Sequence, residues 1–124
     1  MPLRDAAIRI LLANLPERQA RTIQQLIEEQ TDMQLLGHTR DNWELIQQQG
    51  QAADVIILGA PAVSPMPGIC THLFAEWPDV RFLVIDPTGT RIMQYWLGVQ
   101  QREAPPATGS HLLSAIRDIS HAGF

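Results

Sequence analysis

The sequence contains no lysine: its nine basic residues are all arginine and are scattered along the chain. Thirteen acidic residues outnumber them, which gives a formal net charge of −4. Nucleic-acid binding begins with clustered lysine and arginine. The charge balance therefore predicts that this domain does not bind nucleic acid by itself.

Cysteine and long apolar runs are also scarce. Cys70 is the only cysteine, which excludes an internal disulfide and favours a reducing, cytoplasmic location. The N-terminal MPLRDAAIRILLA has a short apolar run with an arginine inside it, so it fits neither a signal peptide nor a membrane span. We expect a soluble protein without a membrane segment.

What the chain does have is enough apolar material for one core. Its 124 residues fit a single domain spanning 1–124, and 45% of them are hydrophobic. Short aliphatic runs at 8–13, 33–39, 54–59 and 82–86 predict buried strands. Helical spacing predicts helices between and after them, with Asp41 as one N-cap and Thr108 or Ser110 as another. Alternating strands and helices predict an α/β fold with a mostly parallel sheet.

Residues 86–106 depart from this alternation. Asp86-Pro87-Thr88-Gly89 is a strong turn signal, and TRIMQYWL after it is rich in strand-forming residues. A turn this short joins antiparallel strands, so we expect a β-hairpin, with a second reversal at Leu97-Gly98. The alternative is a short helix from Arg91 to Leu97.

The order of these elements resembles the receiver domain of bacterial response regulators, the CheY-like family. IRILLA, the strand DVIIL, the stretch PDVRFLVI and the closing helix LLSAIRDI carry the resemblance, which covers the chain to about Asp86 and resumes at the last helix. It implies a flavodoxin-like, doubly wound sheet in the order 2-1-3-4-5, with the helix 4–strand 5 region remodelled. It also implies a cleft at the carboxyl ends of strands 1, 3 and 4.

The residues that receivers use for phosphorylation are missing. The resemblance puts the Mg²⁺-binding acidic pair at Asn14 and Leu15, the phospho-acceptor at Gly59, and the Ser/Thr that binds phosphoryl oxygens at Asp86. The receiver lysine has no counterpart anywhere in the chain. These losses predict a pseudo-receiver: a receiver-like domain that is not an enzyme, needs no metal or cofactor, and is not switched by phosphorylation.

The rebuilt segment lies where receivers carry their output and dimerisation surface. A hairpin at the edge of the sheet would expose unpaired backbone groups and apolar side chains, including Ile92. Such an edge favours strand pairing or a hydrophobic interface with a partner. We therefore expect a protein–protein interaction module in signalling or transcriptional regulation, a homodimer or a complex with another protein. Its predicted surface is Arg91, Met93, Tyr95, Trp96, Leu97 and Arg102. Because receivers commonly precede an effector domain, the resemblance also allows one after Phe124.

A second hypothesis places the function in the old cleft. A small-molecule-sensing domain would use Asn14, Leu15, Gly59, Ala60 and Asp86, and the loss of acidic residues would suit a neutral ligand. Asp86 is the one carboxylate at the end of a strand, but an aspartate that initiates the turn before Pro87 explains it equally well.

Other candidate sites are weaker. Cys70 and His72 point to different sides of a predicted helix, which argues against metal chelation. His38, His111 and His121 show no ligand spacing. The proline-rich loop from Gly59 to Gly68 lacks a phosphate-binding glycine pattern, so we interpret it as a stiff structural loop.

Overall fold

The computed structural model describes residues 7–48, 53–96, 100–104 and 109–120. None of the helices in these ranges is both long and apolar enough to cross a membrane. In chain order the elements are β1 (Ile8–Ala13), α1 (Glu17–Glu28), β2 (Met33–Thr39), α2 (Asn42–Gln48), β3 (Val55–Gly59), α3 (Gly68–Glu76), β4 (Arg81–Ile85), β5 (Ile92–Trp96), β6 (Gln100–Ala104) and α4 (Gly109–Ser120).

The six strands form one mixed sheet in the order β2-β1-β3-β4-β5-β6. The first four strands of that order pair in parallel. β5 runs antiparallel to β4, and β6 runs antiparallel to β5. The predicted α/β class is confirmed, and the arrangement is compatible with a doubly wound fold.

The hairpin predicted after Ile85 is present. Residues Ile92–Trp96 form a strand, so the alternative helix is wrong for them, while Leu97 and Gly98 lie outside the described residues. The turn is closed by a hydrogen bond from the Gly89 N–H to the Asp86 carbonyl oxygen at 3.0 Å. Gly89 has φ of 75°, a conformation that glycine adopts without steric cost.

Helices cover both faces of the sheet, which explains the uninterrupted apolar strands. Ile10 and Leu12 of β1 pack on the face covered by α1 and α4, while Leu11 and Ala13 pack on the face covered by α2 and α3. All four are fully buried. Because successive side chains of a strand point to opposite faces, a strand covered on both sides is apolar at every position.

The capping prediction for α2 is confirmed. The Asp41 carboxylate accepts a hydrogen bond from the Glu44 N–H at 2.8 Å, and the Glu44 carboxylate accepts one from the Arg40 N–H at 2.9 Å. This reciprocal pair starts α2 directly after β2. For α4, Thr108 lies outside the described residues, and Ser110 lies within the helix rather than before it.

Candidate functional site

A cleft of about 860 Å³ opens at the carboxyl ends of the parallel strands. Its lining includes Asn14, Leu15, Gly59 and Ala60, four of the five residues predicted for it. The first two turns of α1 form one side of the cleft. This is the edge at which open α/β sheets bind ligands.

Gly59, the last residue of β3, has no room for a side chain. A Cβ atom built on it would lie 3.0 Å from the Asn14 carbonyl carbon, 3.1 Å from the Leu15 Cα, and closer still to the Asn14 carbonyl oxygen. All three neighbours are backbone atoms, so they cannot move aside as a flexible side chain could. In this fold an aspartate at position 59 is therefore excluded by the path of the chain.

Asn14 sets that path. Its φ of 57° lies in the left-handed region, which asparagine tolerates better than most residues. Its N–H donates to the Thr39 carbonyl oxygen at 3.0 Å, and its side-chain amide donates to the Asn42 side chain at 2.5 Å. The chain is thus held across the end of β3 by contacts with β2 and α2.

Asp86 does not line the cleft, which corrects its predicted place there. Its carboxylate accepts hydrogen bonds from the Thr90 N–H at 2.9 Å, the Thr90 hydroxyl at 3.0 Å, the Thr88 hydroxyl at 3.1 Å and the Arg91 N–H at 3.3 Å. Its neighbours Ile85 and Pro87 line the cleft instead. Asp86 stabilises the hairpin turn, as the turn-initiating interpretation predicted.

The protonation of Asp86 fits the same role. Desolvation raises the pKa of its carboxyl group, but the hydrogen bonds from Arg91, Thr90 and Thr88 outweigh it and hold the pKa below its ordinary value. Asp86 is therefore a fixed anion committed to four donors rather than an acid or base available in the cleft.

Cationic residues are the part of the cleft that the sequence interpretation missed. Arg21 lies on α1, and His38 and Arg40 lie at the end of β2. The strand order could have predicted the two residues at the end of β2. Because β2 lies beside β1, its carboxyl end borders the cleft, as the ends of β3 and β4 do. The predicted site includes only the ends of strands 1, 3 and 4.

The predicted interaction surface is less apolar than expected. Met93 is 7% exposed and Tyr95 is 3% exposed, and both pack among the residues under α2 and α3. Ile92 is fully buried on the opposite face. The expectation that these three side chains are exposed is wrong, because helices and loops of the same chain cover the hairpin on both faces.

The remaining members of that surface have different surroundings. Trp96 is partly buried against the apolar cluster under α1 and α4, so the adjacent rings of Tyr95 and Trp96 lie on opposite faces of the sheet. Arg91 is exposed. Leu97 lies outside the described residues, and Arg102 is described only as a backbone position in β6.

The loop between β3 and α3 is tied to the hairpin. The buried Tyr95 hydroxyl donates to the Val63 carbonyl oxygen at 2.5 Å, and Val63 itself is 2% exposed. The Ser64-Pro65 peptide bond in this loop is cis. These contacts agree with a structural role for the loop.

No metal site is visible in the described ranges, where no three of the potential His, Cys, Asp or Glu ligands cluster. Cys70 is fully buried, and desolvation raises the pKa of its thiol to about 12. His72 is exposed, and His111 is exposed on α4, whereas His121 lies outside the described residues. Trp43, 67% exposed on α2, lies away from the cleft lining.

Comparison with protein-family models, with curated proteins and with solved structures finds no match to this chain.

Proposed function

We propose that this chain is a receiver-like domain that is not switched by phosphorylation and acts by binding protein in a signalling or regulatory system. The observation that carries the proposal is the contact between Gly59 and the Asn14 backbone. Gly59 has no side chain that could accept a phosphoryl group, and the Asn14 backbone leaves no space for one.

The topology supports the receiver-like part of the proposal. Parallel strands in the order β2-β1-β3-β4, with α1 and α4 on one face and α2 and α3 on the other, agree with the CheY-like arrangement. The departure from the receiver pattern comes after β4, where this chain has an antiparallel hairpin in place of a helix and a parallel strand. The cleft remains, but the residues for phosphoryl transfer are absent.

The chemistry of the cleft supports the absence of switching. Phosphoryl transfer needs a metal to neutralise charge and a cation on the transferring group. Here Asn14 and Leu15 occupy the positions of the acidic pair, Leu15 is 6% exposed in the core, and the chain has no lysine. The carboxylate of Asp86 is held by the turn.

The outer edge of β6 is the surface we propose for the partner. β6 has only β5 as a neighbour in the described sheet, so it can accept a further strand. The contact would be made by backbone hydrogen bonds between β6 and an added strand, because Met93 and Tyr95 are already buried. Trp96 pairs with Gln100 of β6 and packs against the core, so it supports this edge from β5. The simplest partner is a second copy of this chain, paired through the outer edge of β6.

The mass of the purified protein in solution tests this surface. A dimer should have twice the 13.9 kDa of one chain, and Trp96→Ala should weaken it. Trp77→Ala is the matched control, because Trp77 is also a partly buried tryptophan but packs on the other face of the sheet. Circular dichroism would check that both variants remain folded.

A dimer that Trp96→Ala weakens and Trp77→Ala does not would support the surface. A monomeric wild-type chain would rule out self-association as the mode of action. A dimer that both variants leave intact would place the interface elsewhere.

A second candidate function is small-molecule binding in the cleft. Its volume of about 860 Å³ lies within the range of about 300–1,000 Å³ that is typical of ligand sites. This candidate does not depend on the interaction surface at β6.

A further inference from the structure

We infer that the cleft binds a small organic anion, a phosphate monoester or carboxylate carried on a compact apolar or ring group. The inference rests on the second candidate function, small-molecule binding in the cleft, and names its ligand class. It replaces the neutral ligand expected from the sequence.

The charge of the lining carries the inference. Among its described residues Arg21 and Arg40 are positive and Glu17 alone is negative, so the net charge is +1. The whole chain has a formal net charge of −4. A positive cleft on an acidic protein attracts anions locally, although the chain as a whole repels polyanions such as nucleic acid.

The neighbouring carboxylates are already occupied. Asp41 and Glu44 accept the N–H groups that start α2, and Asp86 accepts the N–H and hydroxyl groups of the hairpin turn. None of these three residues lines the cleft. In particular, the Glu44 carboxylate accepts a hydrogen bond from the backbone N–H of Arg40. This contact fixes the Arg40 backbone without using the Arg40 guanidinium group.

Arg21 is held only weakly. Its guanidinium lies 3.0 Å from the Glu17 carboxylate, but the two side chains are 70% and 86% exposed. An exposed i,i+4 ion pair contributes little, because water and salt screen it. Arg21 can therefore exchange Glu17 for a ligand oxyanion at small cost, and a guanidinium matches the paired oxygens of carboxylates and phosphates.

The start of α1 adds to the same field. Pro16 is the N-cap of this 12-residue helix and gives it no side-chain cap hydrogen bond. Pro16 and Glu17 both line the cleft, so the positive end of the helix dipole lies at its wall. The helix dipole adds to the attraction of the two arginines for an anion, and the arginines remain the main source of that attraction.

The rest of the lining suits an apolar body on the ligand. Leu15, Ala20 and Ile85 line the cleft and are all buried, so they offer only a small apolar surface between the charged rims. A compact ring could cover this surface while its anionic group meets the arginines. Inorganic phosphate, which has no such body, should bind more weakly.

Titration of the full chain followed by ¹H–¹⁵N NMR tests the inference. The probes are phenyl phosphate, benzoate, inorganic phosphate and phenol, which is the uncharged match. We expect saturable shifts of the Glu17, Gly59 and Ala60 amides with phenyl phosphate or benzoate, and the tighter of the two identifies the anion. Phenol should bind at least about tenfold more weakly.

Single variants identify the cations. Arg40→Gln and Arg21→Gln should each weaken binding of the preferred anion by about tenfold. Arg9→Gln is the control, because it removes the same charge at the opposite end of the sheet, where Arg9 pairs with Asp54 at 3.2 Å. It should leave the affinity unchanged.

The outcomes separate the ligand class from the candidate function. If phenol binds the same amides as tightly as phenyl phosphate, the anion is wrong while binding in the cleft stands. If none of the probes gives saturable shifts at millimolar concentration, both are wrong. Binding that neither arginine variant weakens would also overturn the inference.

Discussion

At the end of β3, Gly59 lies directly under the carbonyl group of Asn14. Only a residue without a Cβ atom fits there, and Asn14 adopts a left-handed conformation to bring its carbonyl group over the strand. The position that the receiver resemblance assigns to the phospho-acceptor is a packing contact in this chain. We predict that position 59 accepts no residue other than glycine.

Gly59→Ala should therefore destabilise the protein. A methyl group forced against backbone atoms costs about 1–3 kcal/mol in the free energy of unfolding. Urea denaturation of the two proteins would measure the difference. Gly37→Ala is the matched control, because Gly37 also lies in a strand but a Cβ atom there would have nothing within 4 Å. Equal stability of the two variants would show that the chain is not tightly packed at Gly59.

An ion pair joins α4 to the turn before β2. The Arg117 guanidinium contacts the Asp32 carboxylate at 2.7 and 3.0 Å and the Gln30 side-chain oxygen at 2.9 Å. The geometry is that of a bidentate arginine–carboxylate pair. It fastens the last helix to the α1–β2 connection at the edge opposite the cleft.

The pH dependence of this contact follows from the pKa of Asp32. Its hydrogen bonds with Arg117 lower the pKa of Asp32 from its ordinary value of 3.8, although desolvation opposes the shift. A carboxyl with a lowered pKa in the folded state stabilises the protein above its unfolded-state pKa. We expect this stabilisation to be lost as the pH falls below 3.8 and through the folded-state pKa.

An NMR titration of the Asp32 carboxyl carbon would measure the shift. The Arg117→Gln variant should bring the pKa back toward 3.8 and remove the contribution of this pair to the pH dependence of unfolding. A pKa that is the same in both proteins would mean that the ion pair does not persist in solution.

The hairpin after β4 changes the edge of the sheet without exposing its apolar residues. Ile92 packs under α1 and α4, while Met93 and Tyr95 pack under α2, α3 and the loop at Val63. The hairpin is therefore part of the core. In the described sheet, the outer edge of β6 has no neighbouring strand, so the proposed interaction is strand addition rather than contact through a hydrophobic patch.

For the whole molecule, much of the fold follows from the sequence because local signals and global topology agree. The apolar runs at 8–13, 54–59 and 82–86 predict buried strands, and the Asp86-Pro87-Thr88-Gly89 turn predicts the hairpin. The burial of Met93 and Tyr95 could not be predicted in this way. It depends on which helices and loops pack over the hairpin, and that is set by tertiary contacts rather than by strand propensity.

The candidate site was predictable only in part, for the same reason. The position of the cleft at the carboxyl ends of the strands and the absence of a side chain at Gly59 can be predicted from the sequence, whereas the steric closure depends on the left-handed turn at Asn14. The positive lining depends on the placement of α1 and β2 around the cleft. Asp86 was ambiguous until its hydrogen bonds assigned it to the turn.

The most direct test of the central claim is the native mass of the purified chain before and after incubation with Mg²⁺ and acetyl phosphate. The account predicts that no phosphoryl adduct appears and that the assembly state is unchanged, because position 59 has neither an acceptor nor space for one. A chain that gains one phosphoryl group, or that changes its assembly with the treatment, would contradict it.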